Sequence, residues 1–234
     1  MGRIAVVALL GSLAGCDHLL QLDKIRPIGD ASSIDAPLDG PELLCLSDNF
    51  DHASIDTTVW PHMYSNAPSI IADNGAQLVG TLGTTSTNAY AGVYTNAHDF
   101  AAMRTLVEVV QIPAGPGATA ELAWRDPMSL DRIQMYVDGS MLWVGQTNGT
   151  GPDVIGKPYD RATMLYWQLR HDLGAGDVAF QTSADGQTWV TQRRLFPVIS
   201  LASVAVELQA GTYTSVAAPG TAAFDNFAMI GACN

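Results

Sequence analysis

Residues 166–190 read YWQLRHDLGAGDVAFQTSADGQTWV, and this stretch decides the fold class. Trp167, Leu169 and His171 alternate with Tyr166, Gln168, Arg170 and Asp172. A period of two is that of a strand whose side chains point alternately to two faces. Gly174, Ala175, Gly176 and Asp177 supply a turn, after which Val178, Phe180 and Thr182 alternate with Ala179, Gln181 and Ser183. Asp185-Gly186 turns the chain again, and Trp189 with Val190 opens a further strand. The segment is a complete β-hairpin with a second turn attached.

The same signature recurs outward from it. Short apolar runs at 69–72, 76–80, 90–95, 103–112, 118–124, 133–137, 141–144, 204–208 and 222–230 lie between clusters of Gly, Pro, Asn and Asp. Asp138-Gly139 marks a tight hairpin, because Asp-Gly tolerates the positive φ angles of such turns. Residues 113–117 and 148–152 read as loops, and Asp126-Pro127 breaks the strand that ends in Trp124 and Arg125. Phe50, Ile55 and Trp60 are the expected core anchors of the domain's opening. No long 3.6-residue periodicity follows the first 25 residues. About a dozen short strands without helical crossovers predict an all-β fold, a two-sheet antiparallel β-sandwich of jelly-roll type. With 234 residues, 47% of them hydrophobic, the chain is long enough for one domain with a sizeable core. The net charge of −12, with only Lys24 and Lys157 as lysines, repels phosphate backbones and excludes nucleic acid as a partner.

The first 15 residues read as an address. Arg3 precedes a short apolar run, 4–13, that is well under the roughly 20 residues needed to span a bilayer. The run ends in Leu13-Ala14-Gly15-Cys16, which resembles the bacterial lipobox. That resemblance implies cleavage before Cys16, lipid on its sulfur and an exported protein held in the cell envelope, at its periplasmic face or the cell surface, without spanning the membrane. Residues 16–42 are rich in Asp and interrupted by Pro27, Pro37 and Pro41, the composition of a flexible acidic tether. Residues 43–234 form the domain. If lipid occupies Cys16, then Cys45 and Cys233 remain. In an oxidising compartment they are expected to form a disulfide between the domain's first and last strands.

Three pieces of the domain resemble the concanavalin A-like lectin/glucanase superfamily. The opening, with Asp48, Asn49, Phe50, Asp51, Ile55, Asp56 and Trp60, is similar to the "DDF…LDxxxW" start of many such domains. Leu169 and Arg170, then 178–180, then Ser183, Asp185, Gly186 and Trp189 resemble their "lRi…v.f..SpDG..W" hairpin. Residues 220–227, GTAAFDNF, resemble their closing strand. The resemblance covers most of residues 46–230 and concerns the fold, which hosts many functions. It implies a structural calcium near Asp48 and Asp225, where the termini would meet, with carboxylate and main-chain oxygens as hard ligands.

The glucanases of this superfamily carry E-x-D-x-x-E on one strand, which places a nucleophile and a general acid on one face. This chain has four glutamates, Glu42, Glu108, Glu121 and Glu207, and none has an acidic partner at that spacing. Glu121 and Asp126 are an odd interval apart, which turns them to opposite faces of a regular strand. No serine triad, Walker loop, dinucleotide fingerprint or H-E-x-x-H is present. The expectation is therefore a protein that is not an enzyme and needs no cofactor, a surface-anchored lipoprotein that binds a glycan or another ligand. A structural or adhesion lipoprotein with a protein partner and a divergent glycoside hydrolase are the alternatives. Exposed aromatics beside polar groups are the expected contacts for sugar. The candidates are Trp124, Arg125 and Asp126, where a strand meets a loop, then Tyr90 and Tyr94, with Tyr136 and Trp143 as further aromatics.

Overall fold

The computed structural model describes residues 42–84, 88–129 and 131–233. The signal segment, Cys16 and all but the last residue of the tether lie outside the described residues. Fifteen strands and no helix are found among the described residues. They are β1 (Leu43–Asp48), β2 (His62–Ser65), β3 (Ile70–Asp73), β4 (Leu78–Thr81), β5 (Ala89–Tyr94), β6 (Arg104–Gln111), β7 (Ala118–Arg125) and β8 (Arg132–Asp138). There follow β9 (Met141–Asn148), β10 (Gly151–Pro158), β11 (Tyr166–Asp172), β12 (Asp177–Ser183), β13 (Val190–Leu195), β14 (Ala205–Thr212) and β15 (Thr221–Gly231).

The strands form two antiparallel sheets. One runs β13-β12-β11-β6-β15-β4-β3, with β1 added to β15; the other, of seven strands, runs β10-β9-β8-β7-β14-β5-β2. The hairpin read at 166–190 is β11–β12, registered from Tyr166 opposite Ser183 to Asp172 opposite Asp177. Strand β15 is the fulcrum of its sheet: residues 221–224 pair with β4 and residues 227–231 pair with β1. Two strands absent from the sequence reading, β2 and β10, are the two margins of the seven-stranded sheet. Strand β10 contains Pro152 and Pro158, which a margin tolerates because one side of it needs no ladder donors. Residues 148–152 are therefore no open loop; Asn148 ends β9 and its side chain accepts from Thr150 N–H at 3.0 Å in the turn to β10.

Alternation fills the space between the sheets. Phe50, Trp60, Leu78, Val93, Leu122, Trp124, Met135, Val144, Trp167, Leu169, Phe180, Val206, Leu208 and Phe224 are wholly buried in one core. Residue Ile55 packs against it, partly buried. Asp48 anchors the opening from beneath: its Oδ1 accepts from Phe50 N–H at 2.7 Å and its Oδ2 from Trp60 Nε1–H at 2.8 Å. Cys45 and Cys233 are joined in a disulfide that ties β1 to the end of β15.

Candidate functional site

The outward face of the seven-stranded sheet gathers aromatic and ionisable groups. Register places one transverse row across all seven strands: Gly156, Trp143, Tyr136, Glu121, Gln209, Gly92 and Tyr64. Paired residues share a face, so this row is set by the ladder and not by loops. The next row holds His62, Tyr94, Glu207, Ala123, Gln134 and Gly145. Arg125 and Arg132 face one another in the row beyond.

Glu121 and Glu207 are thereby diagonal neighbours on β7 and β14, 6% and 1% exposed. Glu207 Oε1 accepts from Tyr64 Oη–H at 2.7 Å and from Arg125 Nη1 at 3.4 Å. Tyr64 Oη also contacts Gln209 Oε1. Glu121 accepts from Arg132 Nη1 at 3.2 Å and from Gln209 Nε2 at 3.2 Å. Arg132 Nη1 stands 4.0 Å from Glu207 Oε2, so one guanidinium nitrogen reaches both carboxylates. Glu207 Oε2 is buried without a hydrogen-bond donor. Burial pushes the Glu121 carboxyl above the ordinary range, with the Glu207 charge adding to the effect and Arg132 opposing it. Burial, then the nearby Glu207 charge, also holds the Tyr64 phenol in its protonated, donating form.

The aromatics are laid out around this pair. Tyr136 and Trp143 stack nearly parallel, at 14° and 6.4 Å between centroids. Trp143 lies against Gly156, where any Cβ would come within 3.0 Å of the indole. Tyr90 covers Gly211 in the same manner. His62, Tyr94 and Arg125 form a stack: the imidazole is 4.7 Å from the Tyr94 ring and the Arg125 guanidinium carbon lies 4.6 Å over the same ring. Flat aromatic surface beside hydrogen-bonding polar groups is the chemistry that suits a pyranose ring.

Of the residues expected from sequence to touch a ligand, Tyr90, Tyr94 and Arg125 lie on this face. Trp124 does not. It is wholly buried, meets Phe100 edge-on at 4.7 Å, and donates from Nε1 to Thr105 Oγ1 at 2.7 Å across the core. The same alternation that turns Arg125 outward turns Trp124 inward. Asp126 sits in the β7–β8 turn, where its carboxylate accepts from Met128 N–H at 2.8 Å and Ser129 Oγ–H at 3.2 Å. Tyr64, Glu121, Arg132, Glu207 and Gln209 were not anticipated. Their signal was a lone glutamate in an otherwise apolar strand, as in ATAELAW and VAVELQA.

Of the two expected calcium ligands, Asp48 is buried and each of its oxygens accepts one hydrogen bond, from Phe50 and from Trp60. Asp225 fits better: it lies opposite Glu108, and burial with the charges of Glu108, Asp51 and Asp48 pushes its pKa up to about 6. Among the described residues no three His, Cys, Asp or Glu side chains gather as a metal group, so main-chain oxygens would complete any such site.

No family model matches the sequence, and no curated protein matches it. Solved structures match its shape. The laminarinase catalytic domain of Thermotoga maritima superposes with a TM-score of 0.61 at 12% identity, covering 83% of this chain and 100% of that one. The Bacillus licheniformis β-glucanase superposes at 0.57 and 13%, covering 82% and 99%. A prokaryotic β-1,3-1,4-glucanase from a mouse hindgut metagenome does so at 0.57 and 12%, covering 80% and 98%. The domain therefore has the concanavalin A-like lectin/glucanase fold, as the sequence motifs implied. The expectation that the chain is no enzyme does not stand. It rested on searching one strand for paired carboxylates, whereas this fold is the one these endo-glucanases are built on, and here two glutamates meet across two strands.

Proposed function

We propose that the domain is carbohydrate-active: a glycan chain lies across the outward face of the seven-stranded sheet, and Glu121 and Glu207 form the carboxylate pair that cleaves it. The observation that carries this reading is the row from Trp143 to Tyr64, with buried Glu121 at its centre and buried Glu207 diagonal to it in the adjacent row. In glycoside hydrolysis one carboxylic acid protonates the leaving oxygen while a second, ionised carboxylate acts on the other side of the anomeric carbon. Glu121, whose burial favours the protonated form, suits the acid. Glu207, with Tyr64 and Arg125 donating to it, suits the carboxylate. Tyr136 and Trp143 hold the chain by ring stacking.

The lipobox-like Cys16 supports an exported, lipid-anchored protein, with the acidic tether spacing the domain from the membrane. A calcium ion at Asp225 would relieve the crowding of negative charge there.

The test is a pull-down against insoluble and immobilised polysaccharides, with reducing-end release measured on every polymer retained. Retention with release that Glu121→Gln and Glu207→Gln each abolish supports the full reading. Retention without release withdraws the hydrolytic roles. Retention of none overturns the glycan reading and favours a protein partner.

A further inference from the structure

The arginines of this face are not used as neutralising arginines are used elsewhere in the molecule. Arg194, on the opposite sheet, grips Asp177 with Nε at 2.8 Å and Nη2 at 2.7 Å, and Asp172 with Nη2 at 2.5 Å. Arg193 commits Nη1 and Nη2 to Asp153 and Val144. Arg125 and Arg132 each touch a glutamate through Nη1 alone, at 3.4 and 3.2 Å, with no second prong. Both distances exceed the 2.7–2.9 Å of a good charge-assisted bond. The guanidinium has five donors, and among the described residues those on Nη2 and Nε of Arg125 and Arg132 meet no protein acceptor. Their side chains are 20% and 23% exposed, on the face that carries the aromatic row. They also stand directly opposite each other in the β7–β8 ladder, an arrangement of like charges that costs stability unless an anion lies between them. Glu207 lies between them, its Oε1 3.4 Å from Arg125 Nη1 and its Oε2 4.0 Å from Arg132 Nη1, both longer than a good charge-assisted bond. The stack of Arg125 on Tyr94 holds one fork flat and in place.

We infer that Arg125 and Arg132 together bind an anionic group of the glycan, a carboxylate or a sulfate, so that the substrate class is an acidic polysaccharide. This rests on the reading of the face as a glycan site. The two guanidinium groups share one patch in a chain whose net charge is −12. A planar fork matches carboxylate and sulfate oxygens two at a time, so recognition is directional as well as electrostatic.

The experiment uses the full chain and three immobilised polymers: a uronate polymer, a sulfated polymer without uronate, and a neutral glucan. The expected result is retention of one or both acidic polymers over the neutral one, falling as salt is raised. Retention of the uronate polymer alone assigns a carboxylate, and of the sulfated polymer alone a sulfate. Arg125→Lys and Arg132→Lys keep the charge and remove the fork; each is expected to weaken acidic-polymer binding about tenfold or more. An Arg125→Gln, Glu207→Gln pair, which keeps the buried charge balanced, serves as the second variant and is expected to lose the same preference. Circular dichroism and melting report that each variant is folded. Equal or better retention of the neutral glucan overturns this inference and leaves the glycan reading standing. Retention of no polymer overturns both.

Discussion

Replacing Cys45 and Cys233 together by alanine tests how the first strand is held. Their bond spans a sequence separation of 188 residues. In the chain-entropy description, closing a loop of that size is worth about 5 kcal/mol at 25 °C. Among the described residues strand β1 pairs only with β15, and its first residues, Leu43 and Leu44, remain 53% and 44% exposed. Leu46 and Asp48 hold the strand's inner end, and the covalent staple holds its outer end. For a domain of this size each kcal/mol moves Tm by about 2–4 °C, so the full entropic term corresponds to a fall of roughly 10–20 °C. Native-state relaxation reduces such effects, and a fall of at least about 6 °C is expected by calorimetry of the double alanine variant. The same fall should follow reduction of the parent protein. A variant that melts within about 3 °C of the parent, with an unchanged denaturant slope, would refute the reasoning and assign the stability of β1 to its hydrogen bonds.

Trp124→Ala should cost about 3–5 kcal/mol of stability in urea unfolding. Glycan retention per folded molecule should not change, in contrast to Tyr136→Ala or Trp143→Ala. Tyr64→Phe removes the donor to Glu207 and Gln209, and the acceptors left behind should lower stability by about 1–3 kcal/mol. Asp225 has a folded pKa of about 6, above its unfolded value of 3.8. Its favourable contribution is thus complete below 3.8 and is lost as pH rises through 6. Asp225→Asn should accordingly melt higher than the parent at pH 7.5, and the difference should vanish below pH 4. Calcium should raise the parent's Tm at pH 7.5 and leave that of Asp225→Asn unchanged; equal response of the two would remove calcium from Asp225. Gly156→Val forces the Trp143 indole off the sheet and should weaken glycan retention more than it lowers Tm.

The fold was legible because its determinants are local. The alternation of Trp167, Leu169 and His171 and the turns at Asp138-Gly139 and Asp185-Gly186 are set within a few residues. The anchors Phe50 and Trp60 sit beside the aspartate that fixes them. What could not be read was which strand lies next to which. Glu121 and Glu207 look solitary in sequence because β7 and β14 are far apart in the chain and adjacent in the sheet. The spacing rule for catalytic carboxylates therefore returned nothing. Trp124 was misplaced for the opposite reason. Three suggestive residues at a strand end were treated as a unit, although the pleat divides Trp124 from Arg125. The margins β2 and β10 were unread because HMYS carries no clean alternation of apolar and polar residues and β10 is interrupted by prolines.

The pleat has a consequence for how such a protein changes over generations. The central residues of the transverse row are backed by core neighbours one position away: Tyr136 by Met135 and Val137, Glu121 by Leu122, Gln209 by Leu208, Trp143 by Leu142 and Val144. A mutation in the row leaves the packing of its neighbour untouched, and a mutation in the core leaves the row's chemistry in place. Ligand preference and foldability are then inherited on the same strands but selected separately. A lineage can change what the face recognises through a series of folded intermediates.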